Sequence, residues 1–237
     1  GHNPGMKRRT LLTAAIAAGS FSRFAPRVGD ALFRGDGAGL EVLAKEAGLA
    51  DAAAARAAVS DGSRRREHLG HYLGAMFHYA GEWYWGVDRL HHLERRLRAV
   101  GALRQGAPAD PIAPRPAFAG PVAGGGRRFT LEFYASLRSP YTAIAIDRVL
   151  ALPERYPVDL VLRPVLPMVM RGLPVPRAKQ LYITLDTKRE AEDAGVAFGR
   201  ICDPVGRPVE RCFSLYPFAV SKARGAALLR EFLVASF

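Results

Sequence analysis

The chain has 237 residues, is 49 % apolar and carries a formal net charge of +12. That supports one large packed domain or two small ones. The basic excess is mostly arginine in an Ala-, Gly- and Pro-rich chain. Its longest run, Arg64 to Arg66, sits beside Glu67 and His68. The charge therefore reads as solvated helix faces, and nucleic-acid binding is disfavoured.

In chain order, Met6-Lys7-Arg8-Arg9 and the apolar run to Ala18 resemble a secretory or twin-arginine signal. Phe21, Phe24, Val28, Leu32 and Phe33 continue the run at helical spacing, which favours a helix. The expected location is cytoplasmic, or periplasmic if Arg8-Arg9 belong to a signal. No apolar stretch is long enough to span a membrane. Helices are predicted over 24–33, 40–47, 50–59 and 64–73. Aromatic runs around Gly81-Glu82 predict a β-hairpin, with Trp83 and Trp85 packed together on its core face. A helix follows from Asp88, an expected N-cap, to Val100.

Residues 104–127 read as a linker from their Pro, Gly and Ala content. Beyond it a strand over 128–136, a turn at Leu137 to Pro140, a helix from Tyr141 and a buried strand over 158–166 predict a β-α-β unit. Helices over 177–194, 209–213 and 221–237 complete the chain. The expected division is residues 1–103, linker 104–127 and residues 128–237.

Cys202 and Cys212 form no C-x-x-C pair, so neither a redox dithiol nor a four-cysteine-type zinc site is expected. A disulfide between them stays open. His68 and His71 can share one helix face and His91-His92 lie on another, but no acid or cysteine is spaced to join them. No metal site is expected.

The segment Phe133-Tyr134-Ala135-Ser136-Leu137-Arg138-Ser139-Pro140-Tyr141 resembles the opening of the 2-hydroxychromene-2-carboxylate isomerase and kappa-class glutathione transferase family. Leu181 to Asp186, Arg189-Glu190-Ala191 and Gly195 to Gly199 are similar to that family's later helix and its end, with Ala197 replacing a proline. Gly81-Glu82-Trp83-Tyr84-Trp85-Gly86-Val87-Asp88-Arg89-Leu90 resembles its terminal hairpin and helix. Asn3-Pro4, Gly19-Ser20-Phe21 and Phe24 resemble its helical insert.

The resemblance implies an α/β chain with a thioredoxin-like sheet and an inserted helical domain. The halves stand in reversed order, so the unit is expected to be split between tandem copies or circularly permuted, with self-association or a homodimer completing the sheet. It implies glutathione as cofactor and a small aromatic or conjugated carboxylate as substrate. Ser139 is the implied catalytic residue. Ser139, Pro140, Tyr141, Met76 and Phe77 are the implied glutathione contacts. Met76 stands near where the family has a cis-proline, so a trans peptide is expected there.

Ser139 and Pro140 also fit a helix N-cap and N1 position without any further role. Arg138 reads equally as a solvated side chain or an anion contact. Lys179, Asp186 and Arg189 are substrate candidates, and Asp186 and Arg189 are spaced to form a surface ion pair. Trp85 and Asp88 complete the set of candidates. Two other outcomes stand beside the enzyme: a non-catalytic thioredoxin-like scaffold, and a basic nucleic-acid binder.

Overall fold

The computed structural model describes residues 19–47, 52–115 and 126–237. The first predicted helical run, over residues 11–18, and residues 116–125 of the Pro/Gly linker lie outside them. The chain divides into two units, residues 1–72 and 73–237.

The first unit contains α1 (Phe21–Phe33), α2 (Gly37–Ala47) and α3 (Ala52–His68). The amphipathic spacing of α1 buries Phe24, Val28 and Ala31 against Leu40 and Leu43 of α2. Arg23 and Arg27 both donate to Glu46 across this pair. The two helices expected over 50–59 and 64–73 are one, α3, which runs straight through Gly62. A single helix glycine costs only about 1 kcal/mol, too little to break it.

The second unit opens with β1 (Met76–Tyr79) and β2 (Glu82–Trp85), an antiparallel hairpin. Its two-residue turn is Ala80-Gly81, both at positive φ (47° and 83°), one residue earlier than the sequence suggested. The inward side chain is Tyr84, which is buried; Trp85 is exposed and Trp83 half-buried. The tryptophans therefore take the face opposite to the one expected. The period of two puts Tyr84 on the inner side with Glu82, to which its hydroxyl donates. The peptides at Ala75 and Met76 are trans. A 3-10 turn, Val87–Arg89, leads into α4 (Leu90–Ala99). Asp88 is exposed in that turn and caps nothing with its side chain.

After the linker come β3 (Phe129–Phe133), α5 (Pro140–Leu150), the short α6 (Leu152–Arg155) and β4 (Val158–Leu162). β3 and β4 pair in parallel, as a β-α-β unit requires. Both strands are shorter than expected, although Ser136 and Val165 continue the alignment as an isolated bridge. β4 is half-buried, not enclosed. A 3-10 turn (Met168–Arg171) precedes α7 (Arg177–Ala194), α8 (Arg207–Ser221) and α9 (Gly225–Ser236). Leu137, Ile146, Val209, Cys212, Leu229 and Leu233 form the core between α5, α8 and α9. Both cysteines are free thiols, Cys202 exposed and Cys212 buried.

The chain is mixed α/β. The hairpin and the parallel pair are separate two-stranded sheets, with no hydrogen bonds between their strands among the described residues. Side chains join α4 to α7 instead. Arg89 meets Asp186, His92 meets Glu190, and Arg95 meets Asp193. The spacing of three or four residues on each helix keeps these rungs on one face. No described helix is long and apolar enough to cross a membrane.

Candidate functional site

α5 starts where serine and proline dictate. Ser139 is extended, and its Oγ accepts a hydrogen bond from the Thr142 N–H at 3.3 Å. Pro140 fills the first turn, where a missing N–H costs nothing. The bonded hydroxyl keeps its own proton for donation. The free amides and partial positive charge of the helix end lie beside it.

This turn opens on a cleft of about 410 Å³. Arg138, Ser139, Pro140, Tyr141 and Lys179 all line it, so five of the sequence candidates come together there. Arg171, Gln180 and Asp203 line it too and were not foreseen. Among the described residues, neither Lys179 nor Arg171 has a carboxylate within ion-pair distance. Leu166, Met168 and Ile183 give the cleft an apolar wall.

Arg138 is neither solvated nor open to an anion. Its guanidinium grips Asp203 through two bonds of 2.5 and 2.6 Å. The hydrogen bond to Asp203 raises its pKa further, so it stays charged and committed. That pair ties the Ser139 turn to the segment before α8.

Asp186 and Arg189 do not form a surface pair. Asp186 has no exposure at all. It accepts from Arg89 Nε at 3.0 and 3.1 Å, from the Tyr141 hydroxyl at 2.7 Å and from Arg189 at 3.3 Å. Burial, then the Asp186 charge and hydrogen bond, push the Tyr141 phenol far above its ordinary range. Tyr141 therefore spends its hydroxyl on Asp186 and presents its ring to the cleft. Arg189 also donates to the Trp83 carbonyl and stacks on the Tyr84 ring at 4.4 Å. Asp186 and Arg189 thus stand behind the cleft wall.

Met76, Phe77, Trp85 and Asp88 do not line the cleft. Met76 faces Trp85 across the hairpin, and Trp85 meets Tyr182 of α7 edge-on at 6.0 Å. A larger cavity of about 660 Å³ between α5 and α9 is mainly apolar. Its acid, Asp147, is held by Arg230 at 2.6 Å, so it offers little chemistry.

Beside the Asp186 cluster lies a second polar group. The His91 and His92 rings lie with centroids 4.0 Å apart, tilted by 38°, next to Glu190 and Asp193. Burial first, then His92 and Arg115, lower the His91 pKa. Burial would raise the Glu190 carboxyl, but the His92 hydrogen bond with Arg89 and Arg115 outweighs it and holds the group at about 2.

No known protein family, no curated protein and no solved structure matches this chain.

Proposed function

We propose that the cleft at Ser139 binds glutathione and that the chain is a glutathione-dependent isomerase or transferase of the 2-hydroxychromene-2-carboxylate isomerase type. The observation that carries this reading is the meeting of a hydroxyl N-cap, a helix N-terminus and two uncompensated cations in one cleft. Its volume falls within the usual range of ligand pockets, about 300–1,000 Å³. Glutathione presents two carboxylates and a thiol, and Lys179, Arg171 and Ser139 answer those charges.

When bound, glutathione supplies a thiolate able to add to a conjugated carbon and leave again. The chain's own part is positioning. Ser139 donates its hydroxyl proton to a sulfur anion, and the α5 N-terminus favours the anionic form. Lys179 and Arg171 hold carboxylates of glutathione and of a small aromatic or conjugated acid, whose flat body meets Leu166 and Met168. Arg138, locked on Asp203, keeps the turn in place.

Calorimetric titration with glutathione tests this. We expect saturable binding that Ser139→Ala weakens. Ser139→Asp keeps a helix cap but sets a negative charge at the turn, and it is expected to abolish binding. No binding by the parent chain, or equal binding by all three, overturns the reading.

A second reading is a non-catalytic thioredoxin-like scaffold that self-associates into a homodimer. It is favoured by two separate two-stranded sheets with open edges, and by Met76 and Phe77 lying off the cleft. It predicts a mass that rises with concentration and ignores glutathione.

A further inference from the structure

His91 and His92 start α4, and Glu190 and Asp193 sit near the end of α7, about a hundred residues later. The fold brings them together. Ligand atoms of His91, His92 and Asp193 lie within 4.8 Å of one another. Glu190 Oε1 is 2.7 Å from His92 Nε2 and 4.0 Å from His91 Nε2. The His91 side chain is only 9 % exposed, and its Nε2 is buried without a hydrogen-bond partner. An orphaned buried ring nitrogen costs on the order of 1–3 kcal/mol, which a bound ion would recover.

We propose that His91, His92, Glu190 and Asp193 form a binding site for one divalent transition-metal ion of the zinc class. Two imidazoles and two carboxylates suit zinc, cobalt or nickel. Tetrahedral ligands about 2.1 Å from the ion stand roughly 3.4 Å from each other, so His91, His92 and Asp193 must close by up to about 1.4 Å, and Glu190 must step back from His92. With four protein ligands the site is closed and structural. It would clamp α4 to α7.

Three guanidiniums now face these acids, and they set the conditions for binding. Arg89 stays on Asp186 and also reaches Glu190 Oε1 at 3.4 Å. Arg95 and Arg115 pair with Asp193, and Arg115 also pairs with Glu190. Their side chains are 62 % and 36 % exposed, so both can swing into water when an ion enters. The site therefore competes with its own arginines, and removing one must strengthen it.

The test is zinc calorimetry and cobalt(II) visible absorption on the intact chain after chelator treatment. We expect one equivalent bound, with tetrahedral cobalt bands. The His91→Ala/His92→Ala variant should bind about 100-fold more weakly or worse. Arg115→Ala should bind more tightly than the parent, a change that a purely structural ion-pair cluster would not produce. His78→Ala, an exposed strand histidine, should match the parent. Circular dichroism confirms that each variant is folded. No binding by the parent, unchanged binding in the double variant, or no gain in Arg115→Ala overturns the proposal.

Discussion

Asp186 has no solvent exposure yet carries a carboxylate, and burying such a charge costs several kcal/mol unless partners compensate. Two arginines and the Tyr141 phenol supply that compensation. Three phenols in the same region are held above their ordinary range, chiefly by burial. Burial first, then Glu82, raises Tyr84 to about 12. Burial first, then the Asp186 charge, carries Tyr141 and Tyr182 higher still. A raised acid pKa means that the folded chain holds the proton more tightly than the unfolded one. The stability this gives is complete below the unfolded value near 10 and is lost as pH rises through the folded values. In a spectrophotometric titration, Tyr84, Tyr141 and Tyr182 should be missing from the tyrosinate signal at about pH 11, out of eight tyrosines in all. If all eight ionise with an ordinary midpoint while the chain stays folded, the buried network is not as described. In the sequence, Ser139, Pro140 and Lys179 were legible as cleft residues because a cap signal and its following helix are local. Asp203 and Arg89 were not, since their partners lie 65 and 97 residues away and an arginine-rich chain offers many equivalent choices.

At the scale of elements, local patterns were read well wherever one periodicity acted alone. α1, α2, α7 and the hairpin fall close to their expected places. α8 was expected only as a short helix over 209–213, with a separate helix from 221. Pro217 in fact lies inside Arg207–Ser221, with Val209 and Cys212 anchoring that helix in the core. Losing one hydrogen bond is outweighed by that packing. The real break is Lys222–Arg224, and it forces a close approach. A Cβ at buried Gly225 would stand 2.8 Å from Val220 Cγ2 and 3.2 Å from a Tyr216 ring carbon. Gly225→Ala should therefore cost about 1–3 kcal/mol in denaturant unfolding. Gly29→Ala in α1, where a Cβ meets nothing within 4 Å, should instead gain up to about 1 kcal/mol. Equal effects at the two positions would remove the packing argument for the α8–α9 corner.

At the scale of the whole second unit, two kinds of cohesion coexist. α5, α8 and α9 share an apolar core. α4 and the turn before it are joined to α7 by polar side chains: Arg89, His92 and Arg95 against Asp186, Glu190 and Asp193. Salt at about 1 M shortens the screening length to about 3 Å, which weakens the Arg95–Asp193 rung, whose arginine is exposed, far more than the buried rungs at Asp186 and His92, and leaves apolar packing intact. Raising ionic strength should therefore speed amide exchange in α4 while leaving α9 unchanged. A uniform response would mean that the rungs contribute little. The six positions recur every three or four residues along the sequence, but nothing local says which row faces which.

The same rungs set different tolerances for different edits to the gene. Beyond Arg115, which itself pairs with Glu190 and Asp193, the chain up to β3 sets how far apart the rows lie in sequence, and doubling a loop costs roughly 0.6 kcal/mol. Insertions there should be nearly silent. One residue inserted into α4 after Arg89 would turn every later side chain by about 100° around the helix axis and pull His92 and Arg95 off their acids together. The rows keep phase, not distance.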